Sequence, residues 1–562
     1  MTNWKKRYAA GMTLRRGLCV LTVVAIGLAG LGTQTLSASA TPHAQSGPEL
    51  VLACNNNGSI PQDFNPFVGS VYTNNFGATS LVYEPLIQFD VAAPPTYYPW
   101  LATKYEWSNN GKALIFTIRK NVKWSDGSPM TPTDVAFSYK LVNSNLALNS
   151  GGITLSGVSV SGDTVTLTFP RPQYTAFEEI ANVPIVPKAI WSKIKDPATY
   201  AAADPIGTGP YTLQSFTPEG FTMVKNPLYW QPGKPAVDRV YFPAYSSNTS
   251  SANALLSGVA DADTNYIPDL QRVFVARNPA LHHLDMVQLG TVSLEPNLTT
   301  WPTNQLAVRK AISLAVDRAS LNSEAESGYT VPVTDSSAMT LPTFKQWTDA
   351  ATGVGQISVH PNPAAAKAVL EQAGFVMKNR HFYTKSGKEL SLTLVDPAAY
   401  TDYAEAGGII AQNLQAAGID ATFDGSSITG WASDLASGQF QLSLEWSASG
   451  ITPYNEYEGW FNSALDGKVA TGDFERLNNP TLDADLVKLA SDATVSAQKA
   501  GLAPIQRFVS SELPIIPVFT KDANFEYSTA NFVGWPTPSD PYEAMYSSPF
   551  AEVVVLHLSP RS

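Results

Sequence analysis

The sequence predicts an α/β protein that is built from more than one domain. In the second half of the chain, strand-like and helix-like segments alternate, which is typical of α/β domains. The chain has 562 residues, and a single hydrophobic core stops growing at about 250–300 residues, so two or three domains are expected. Hydrophobic residues make up 44% of the chain, which is ample for globular cores even though 41 prolines indicate many loops.

The amino terminus is typical of an export signal. Residues 17–32 form an apolar run without charge, and residues 38–40 (ASA) are a small-x-small cleavage site. We expect residues 1–40 to be a cleaved signal peptide and residues 41–47 to be a polar tether; the alternative is that the signal stays uncut as an anchor. The protein is then exported, to the periplasm or the cell surface. The positive residues that precede the apolar run are Lys5, Lys6, Arg7, Arg15 and Arg16.

Net charge and cysteine content narrow the possible partners. Residues 1–40 carry five positive and no acidic side chains, so cleavage changes the formal net charge from −11 to −16. A chain this acidic repels nucleic acid and anionic membrane surfaces, and we expect neither as a partner. Cleavage also removes Cys19 and leaves Cys54 as a single cysteine, which cannot form an internal disulfide. We expect Cys54 to be a small buried residue at the end of the first strand.

Hydrophobic patterns predict strands, hairpins and helices in the first half of the chain. Apolar or alternating runs predict the strands, the Ser-Gly-Asp at residues 161–163 predicts a hairpin turn, and Thr131 or Thr133 can cap a helix. The predicted strands and hairpins are residues 49–54, 113–118, 158–169, 211–225 and 237–243. The predicted helices are residues 78–89, 131–143 and 247–257.

The second half of the chain predicts longer alternating elements. Helical spacing with alanine-rich faces predicts the helices, and Gly374 is placed to end one of them. The predicted strands are residues 292–298, 390–395, 420–424 and 515–519. The predicted helices are residues 306–321, 363–374 and 403–417, followed by a long helical region at residues 482–508.

Five segments in a fixed order carry a resemblance to a known protein family. They are residues 116–127 (FTIRKNVKWSDG), 204–211 (DPIGTGPY), 225–230 (KNPLYW), 308–312 (VRKAI) and 368–375 (AVLEQAGF). In this order they resemble the family 5 solute-binding proteins of bacterial ABC importers, a group that includes binders of dipeptides, oligopeptides, nickel and some oligosaccharides. The resemblance covers nearly all of the chain that follows the signal.

The resemblance implies the two-lobed fold of periplasmic binding proteins, in the cluster of large members, with an extra α/β domain inserted in the first lobe. Two strands form the hinge, and a solute binds in the cleft between the lobes as they close. The implied domains are a first lobe at residues 48–75, 204–290 and 526–562, an inserted domain at residues 76–203, and a second lobe at residues 291–525.

Signatures of enzymes and metal sites are weak. None of the six histidines has the spacing of a His-Glu-x-x-His site, and no Gly-x-Ser-x-Gly elbow is present. Paired acids such as Asp261 and Asp263 lack a full calcium-ligand loop. We therefore expect no enzyme activity, no metal and no cofactor. A secreted hydrolase is the alternative from another class, and a partner of a sensory receptor would share the binding fold.

The candidate ligand site centres on residues 444–450 (LEWSASG), which follow a strand. They resemble a family segment in which a Trp is followed three residues later by an Asp, and in peptide binders that Asp pairs with the ligand's terminal ammonium. Here Trp446 is followed by Ser449, and a serine cannot neutralise a desolvated ammonium. The nearby carboxylates that could substitute for the Asp are Glu445, Glu456 and Glu458.

Aromatic and amide side chains complete the candidate site. Aromatic faces stack on sugar rings and also accommodate peptide side chains. Asn55 and Asn56 directly follow the first strand, and their amides suit a neutral polar ligand. The alternative is that the aromatic residues fill the core of the second lobe and the two asparagines are plain loop residues. The candidate ligand-binding residues are Asn55, Asn56, Tyr72, Trp446, Ser449, Tyr454 and Trp460.

Two ligand classes stay open from the sequence. A peptide is the family's usual ligand, whereas the departure at Ser449, the asparagine-rich first loop and the aromatic residues favour an oligosaccharide or another neutral polar solute. We expect a monomer that captures a peptide and delivers it to an ABC permease and ATPase complex, with the oligosaccharide as the alternative.

Overall fold

The structure, a computed structural model, describes most of the chain that follows the predicted signal. The described residues are 48–54, 58–68, 72–75, 77–92, 96–341, 343–348, 354–448, 450–466, 472–545 and 551–562. The predicted signal peptide and tether lie outside them.

Apolar and β-branched runs form short strands throughout the described residues. In chain order the strands are β1 (Glu49–Ala53), β2 (Ile87–Phe89), β3 (Tyr97–Pro99), β4 (Ala102–Ser108), β5 (Ala113–Ile118), β6 (Gly157–Ser161), β7 (Thr164–Thr168), β8 (Tyr211–Thr217), β9 (Gly220–Lys225), β10 (Arg239–Pro243), β11 (Ala262–Asp263), β12 (His282–Pro296), β13 (Val376–Lys378), β14 (His381–Tyr383), β15 (Ser391–Pro397), β16 (Asp420–Ser426), β17 (Leu442–Trp446), β18 (Ile516–Ser528), β19 (Phe532–Val533) and β20 (Ser559–Pro560).

Capping residues set where several helices begin. Thr131 donates its main-chain N–H and its hydroxyl to the Asp134 carboxylate at 2.9 and 2.7 Å, and Ser247 accepts from the main-chain N–H of Ser250 at 3.3 Å. The helices within the described residues are α1 (Tyr72–Asn75), α2 (Pro132–Ser144), α3 (Phe177–Ala181), α4 (Lys188–Trp191), α5 (Asn248–Leu256), α6 (Leu270–Val273), α7 (Leu306–Ala315), α8 (Arg318–Ser320), α9 (Pro363–Gln372), α10 (Thr401–Ala416), α11 (Ile428–Ser437), α12 (Pro453–Phe461), α13 (Pro480–Ala490), α14 (Val495–Glu512) and α15 (Ala551–His557).

One ten-stranded sheet organises the fold, in the order β16-β15-β17-β12-β18-β11-β1-β10-β9-β8. The long strands β12 and β18 lie in its middle and pair antiparallel from His282 to Leu294 on β12, with register shifts after Gln288 and Val292. We call β1, β8, β9, β10 and β11 the first sheet half, and β15, β16 and β17 the second sheet half. β12 and β18 join the halves: β12 pairs with β17 of the second half, β18 pairs with β11 of the first half, and the two strands pair with each other.

Smaller layers surround this sheet. Strands β4, β5, β7 and β6 form a separate antiparallel sheet, against which α2 packs. The second sheet half buries Leu392, Leu394 and Leu444 against apolar side chains of α7, α9 and α10, such as Ile312 and Leu370. Burying such side chains provides the main driving force for folding.

Three of the sequence landmarks meet at one place. Ser125, from residues 116–127, donates its N–H to the carbonyl of Gly207 at 2.9 Å, and Asn226, from residues 225–230, donates its side-chain amide to the carbonyl of Gly209 at 2.8 Å. Both glycines lie so close to the main chain of Leu81 and Val82 that an added Cβ would overlap its carbonyl groups. The landmarks are therefore joined by close packing of main chain, which explains why the turn requires glycine.

Most predicted elements of the second half are present with altered ends. The strand predicted at residues 292–298 starts ten residues earlier, in β12, and the helix predicted at residues 306–321 ends at Ala315. The long helical region is two helices, α13 and α14. In the first half, the predicted helix at residues 78–89 is wrong: its residues form a short 3₁₀ turn and strand β2. Cys54 is buried at the end of β1 as predicted, and burial raises the pKa of its thiol to about 12.

Candidate functional site

Strands of both sheet halves end at the middle of the β12–β18 pair. β11 runs parallel to β1 and ends at Asp263, which lies opposite Glu526 on β18, while β17 ends at Trp446, which pairs with β12. Both ends point toward the section where Gly290 lies opposite Lys521. Ligands of open α/β sheets bind outside the carboxyl ends of strands. This section between the two sheet halves, which we call the cleft, is therefore the candidate functional site.

Aromatic rings line the second-half side of the cleft. The half-buried Trp446 lies with its ring centroid 6.4 Å from that of Trp431 at an interplanar angle of 28°, and 6.1 Å from that of Tyr403. Tyr400 lies 6.2 Å from Trp431 and 6.4 Å from Tyr403, edge-on to both. Tyr400 and Tyr403 lie at the start of α10, which follows the carboxyl end of β15. The half-buried rings of Trp446 and Tyr400, backed by the buried rings of Trp431 and Tyr403, give an aromatic wall that suits a sugar ring or a side chain of a peptide.

A buried lysine lies beside this aromatic group. The Lys521 ammonium is 4.4 Å from the centroid of the Trp446 ring, within the range of a cation–π contact. Burial lowers the pKa of Lys521 to about 7, and the Asp522 and Glu445 charges act in the opposite direction. Lys521 is therefore a cation of the second-half side of the cleft whose charge is opposed by burial and supported by these two acids.

Carboxylates from three separate segments face the cleft. Glu326 follows a π-helical turn, Asp402 lies in the first turn of α10, and Asp522 lies on β18. Burial raises the pKa of Asp402 to about 6, and burial, with the charges of Asp402 and Asp522, raises the pKa of Glu326 well above its usual range. Asp402 and Asp522 raise the pKa of Glu326 because like charges lie close together in a buried environment.

The first-half side of the cleft is acidic as well. Asp263 and Glu526 lie directly opposite each other on β11 and β18 and are fully buried. Asp263 accepts hydrogen bonds from the main-chain N–H and the side-chain amide of Asn265 at 2.8 and 2.7 Å, and burial raises its pKa to about 7. Burial, together with the Asp263 and Asp522 charges, raises the pKa of Glu526 well above its usual range.

Hydrogen bonds already join elements from the two sides of the cleft. The side-chain amide of Asn248, at the start of α5, donates to Asp402 and to the Thr401 hydroxyl at 3.3 Å each. The hydroxyl of Tyr266 lies 2.7 Å from that of Ser327. The two sheet halves are thus in contact across the cleft, which is the arrangement of a closed binding protein.

The structure describes only some of the seven predicted site residues. Asn55, Asn56 and Ser449 lie outside the described residues, and of Tyr72 only the main chain, in α1, is described. Trp446 lines the cleft. The other two, Tyr454 and Trp460, lie on α12, and both side chains are buried in the interior.

Tyr454 and Trp460 are buried in different surroundings from Trp446. The indole N–H of Trp460 donates to Glu295 at 2.9 Å, and only 2% of the residue is exposed. Tyr454 lines a cavity of about 330 Å³ between the segment 146–180 and helices α12 and α13, together with Arg171 and Glu458. An adjoining cavity of about 300 Å³ reaches Ala448, the last described residue before position 449.

The aromatic partners of Trp446 were missed in the sequence. Tyr400, Tyr403 and Trp431 were not singled out, nor were the acids Glu326 and Asp402. A signal for Tyr400, Asp402 and Tyr403 does exist, since they follow a predicted strand and open a predicted helix, which is the carboxyl-end position. Nothing in the local sequence connects Glu326 with Asp402, because they are 76 positions apart.

Among the described residues, one group of side chains has the spacing of metal ligands. It consists of His381, Glu389 and Asp420, which are half-buried. The His381 ring nitrogen Nδ1 lies 2.8 Å from a Glu389 oxygen. Asp420 is the first residue of β16, so this group lies at the amino end of that strand, whereas the carboxyl end points toward the cleft. It belongs to the opposite edge of the second sheet half.

Comparison with known proteins identifies the family. The sequence pattern of the family described as bacterial extracellular solute-binding proteins, family 5 Middle, matches residues 96–468. The chain belongs to this family. Family 5 proteins bind solutes outside the cytoplasm, and the two-lobed α/β fold expected from the sequence is confirmed by the structures below.

Relatives and solved structures extend over most of the chain. The chain is 28% identical to the nickel-binding periplasmic protein of Escherichia coli over 64% of its length and 67% of the relative. It is 26% identical to the periplasmic oligopeptide-binding protein OppA of Salmonella typhimurium over 92% of its length and 96% of the relative. The periplasmic oligopeptide-binding protein of Thermotoga maritima with bound mannohexaose superposes with a TM-score of 0.83 at 24% identity, covering 91% of this chain and 98% of that one. The oligopeptide-binding protein AppA of Bacillus subtilis with a nonapeptide has a TM-score of 0.77 at 18% identity, covering 92% and 100%.

Several relatives are named as periplasmic proteins. Across the part of this chain that the structure describes, no helix has both the length and the apolar character that a membrane span requires.

Proposed function

We propose that this protein is the extracytoplasmic binding component of an ABC importer, and that it captures a peptide in the cleft. The observation that supports this most directly is the convergence of strand ends from both sheet halves on the middle of the β12–β18 pair. We take the two sheet halves, with the elements packed on them, as the two lobes, and the β12–β18 pair as the hinge. The relatives named for oligopeptides and the nonapeptide-bound structure favour a peptide.

Capture follows from the contacts across the cleft. The protein alternates between open and closed arrangements, and contacts such as Asn248 to Asp402 exist only when the lobes meet. A solute that touches both lobes adds contacts to the closed arrangement alone, and so shifts the population toward it. The hinge strands bend where their register shifts, after Gln288 and Val292, because the ladder of hydrogen bonds is already interrupted there.

Delivery to a membrane partner completes the proposed role. The closed protein presents its solute to a permease and ATPase complex, and it acts as an exported monomer whose signal is cleaved. Its role is to hold the solute without chemical change. A sensory receptor partner remains compatible with the same cleft.

An oligosaccharide is the second candidate ligand. The aromatic group of Tyr400, Tyr403, Trp431 and Trp446 includes the half-buried ring of Trp446, a type of side chain on which sugar rings stack. The mannohexaose-bound structure has the same fold. The aromatic group therefore supports an oligosaccharide as the alternative ligand.

Calorimetry combined with X-ray scattering tests the proposed function. We expect a member of a di- to pentapeptide panel to bind and to shorten the radius of gyration as the lobes close. Binding of cello-, xylo- or manno-oligosaccharides alone would replace the peptide with the sugar. Product that accumulates from a solute, with scattering unchanged for every solute, would overturn the binding role in favour of a hydrolase.

A further inference from the structure

In the part of the chain that the structure describes, Glu326 is one of two buried glutamates of the cleft that have an unpartnered oxygen; the other, Glu526, lies on the first-half side. Glu326 is 2% exposed, and within the described residues its Oε1 atom has no hydrogen-bond partner. The nearest charges that act on it belong to Asp402 and Asp522, both negative. Burying a carboxylate without a donor or a counter-charge costs several kcal/mol. A buried oxygen in this position lacks the positive partner that would offset this cost.

The cations of the neighbourhood, Lys521 and Arg318, do not form ion pairs with Glu326 or Asp402. Lys521 lies over Trp446, and its nearest acids are Asp522 and Glu445. The Arg318 guanidinium donates to the carbonyl of Pro517 at 2.9 Å and to main-chain oxygens around it. Among the described residues, the ion pairs include neither Glu326 nor Asp402. Lys521 therefore acts on Asp522, whereas no cation of the described residues forms an ion pair with Glu326 or Asp402.

The three acids come from parts of the protein that move relative to one another in the proposed closure. Asp402 belongs to the second lobe and accepts a hydrogen bond from Asn248 of the first lobe, and Asp522 belongs to the hinge. Glu326 directly precedes Ser327, whose hydroxyl is hydrogen-bonded to that of Tyr266. Bringing these carboxylates together without a cation opposes closure. A cation placed among them reverses that effect, because each carboxylate then gains from it.

We propose that the closed cleft binds a positively charged group of the solute, an ammonium or a guanidinium, against Glu326 and Asp402. This rests on the proposed function and names the charge of its ligand. Residue 449 is a serine where the resembled peptide binders have an acid, so these acids provide a different anchor for positive charge. A group with several N–H donors fits better than a bare metal ion, since the described residues with metal-ligand spacing are His381, Glu389 and Asp420, outside the cleft.

Calorimetry with charge-matched tripeptide pairs tests this inference. The first pair is trialanine and N-acetyl-trialanine, which differ in the terminal ammonium. The second is N-acetyl-Ala-Lys-Ala and N-acetyl-Ala-Gln-Ala, which differ in a side-chain ammonium. We expect the cationic member of at least one pair to bind at least about tenfold more tightly than its neutral partner, as charge-assisted hydrogen bonds do. The pair that shows the difference identifies which ammonium is bound.

Two variants and one control assign that preference to the acids. Glu326→Gln and Asp402→Asn keep the side-chain shape and remove the charge, and we expect either to reduce the tenfold preference to within about threefold. Glu371→Gln makes the same charge change on the exposed face of α9 and leaves the preference unchanged. Thermal unfolding of each variant confirms that it folds; Asp402 is half-buried, so its variant keeps the test decisive if Glu326→Gln fails to fold.

The outcomes separate this inference from the proposed function. Equal binding of both members of each pair, or a preference that persists in both variants, overturns the inference and leaves solute capture intact. If only mannohexaose binds, and Glu326→Gln does not change its affinity, the inference is likewise overturned and solute capture stays intact. If no solute binds and scattering never changes, the proposed function fails together with the inference.

Discussion

Two buried glutamates of this protein have opposite surroundings. Glu456, on α12, accepts hydrogen bonds from the main-chain N–H of Thr340 at 3.1 Å, from the Thr340 hydroxyl, and from the Ser447 hydroxyl at 3.1 Å. Glu326, beside the cleft, has one oxygen without a partner among the described residues and two acids as its nearest charges. The first carboxylate joins three segments of the interior. The second lacks a hydrogen-bond donor from the described chain at one oxygen, so burial alone does not determine whether the fold satisfies a carboxylate.

The largest expected effect is on stability, at the interior glutamate. Glu456→Ala leaves the Thr340 N–H and two hydroxyls without their acceptor in a closed space, and we expect it to lower the free energy of unfolding by about 3 kcal/mol. Urea unfolding at pH 7 measures the change. Glu371→Ala, on an exposed helix face, is the matched control and should stay within about 0.5 kcal/mol of the parent protein. A loss below about 1 kcal/mol at Glu456 would contradict its structural role.

The same residue predicts a dependence of stability on pH. Burial raises the pKa of Glu456 to about 7, whereas an unfolded glutamate titrates near its ordinary value of 4.5. The folded state therefore binds this proton more tightly than the unfolded state does. The stabilisation that the protonated group provides is complete below pH 4.5 and is lost as pH rises through about 7. We expect the free energy of unfolding to fall by about 2 kcal/mol from this group between pH 5.5 and 7.5.

Urea titrations at pH 5.5, 6.5 and 7.5 measure that slope. Glu456→Gln cannot titrate and should show a shallower slope than the parent protein, while Glu371→Gln should keep the parent slope. Other buried acids with raised pKa values, such as Glu178 and Asp263, add to the fall in both proteins. Identical slopes in Glu456→Gln and the parent would show that the folded protein does not hold this proton.

A pair of tryptophans extends the comparison to the ligand. Trp446 is half-buried beside the cleft, and Trp460 is buried with its N–H on Glu295. We expect Trp446→Ala to weaken solute binding about tenfold, which is about 1.4 kcal/mol. Trp460→Phe should cost about 1 kcal/mol of stability through the lost hydrogen bond and change the affinity less than twofold. Calorimetry measures the affinity of both variants, and urea unfolding measures their stability. If Trp460→Phe weakened binding about tenfold and Trp446→Ala did not, the ligand site would lie at α12 instead.

The smallest expected effect is on the stability of the ligand-free protein. Glu326→Gln removes a buried carboxyl group whose ionisation is opposed by burial and by the charges of Asp402 and Asp522, so we expect the free energy of unfolding at pH 7 to rise by up to about 1 kcal/mol. A fall of more than 1 kcal/mol would mean that Glu326 is held by the fold in the same way as Glu456. The comparison between the two glutamates would then be lost.

Local sequence was a good guide to the elements and a poor one to their assembly. The apolar alternation of β5, the Thr131 cap of α2 and the turn glycines of the hairpins all act within a few residues, and the corresponding elements were predicted. Residues 78–89 show helical spacing, but Leu81 and Val82 are held by the glycine turn at residues 207–209, more than a hundred positions away. Tertiary packing overrides local preference at such places.

The same limit explains what was and was not found in the site. Trp446 was predicted because a recognisable segment surrounds it and a strand precedes it. Tyr403, Trp431 and Glu326 reach the cleft only through the order of strands in the sheet, which pairing of distant segments determines. Tyr454 and Trp460 are near Trp446 in sequence, yet Trp460 faces Glu295 because a helix turns successive side chains to different sides. Sequence proximity to a motif therefore does not place two side chains in the same surroundings.

The long pairing of β12 with β18 restricts how the protein can move. Sliding one strand along the other by a residue would break the whole ladder and turn every side chain to the opposite face of the sheet. Twisting and bending keep the ladder intact. The lobes can therefore rotate about this pair but cannot translate past each other, so each opening returns the same residues to the same places. A solute therefore meets an open cleft of one reproducible shape.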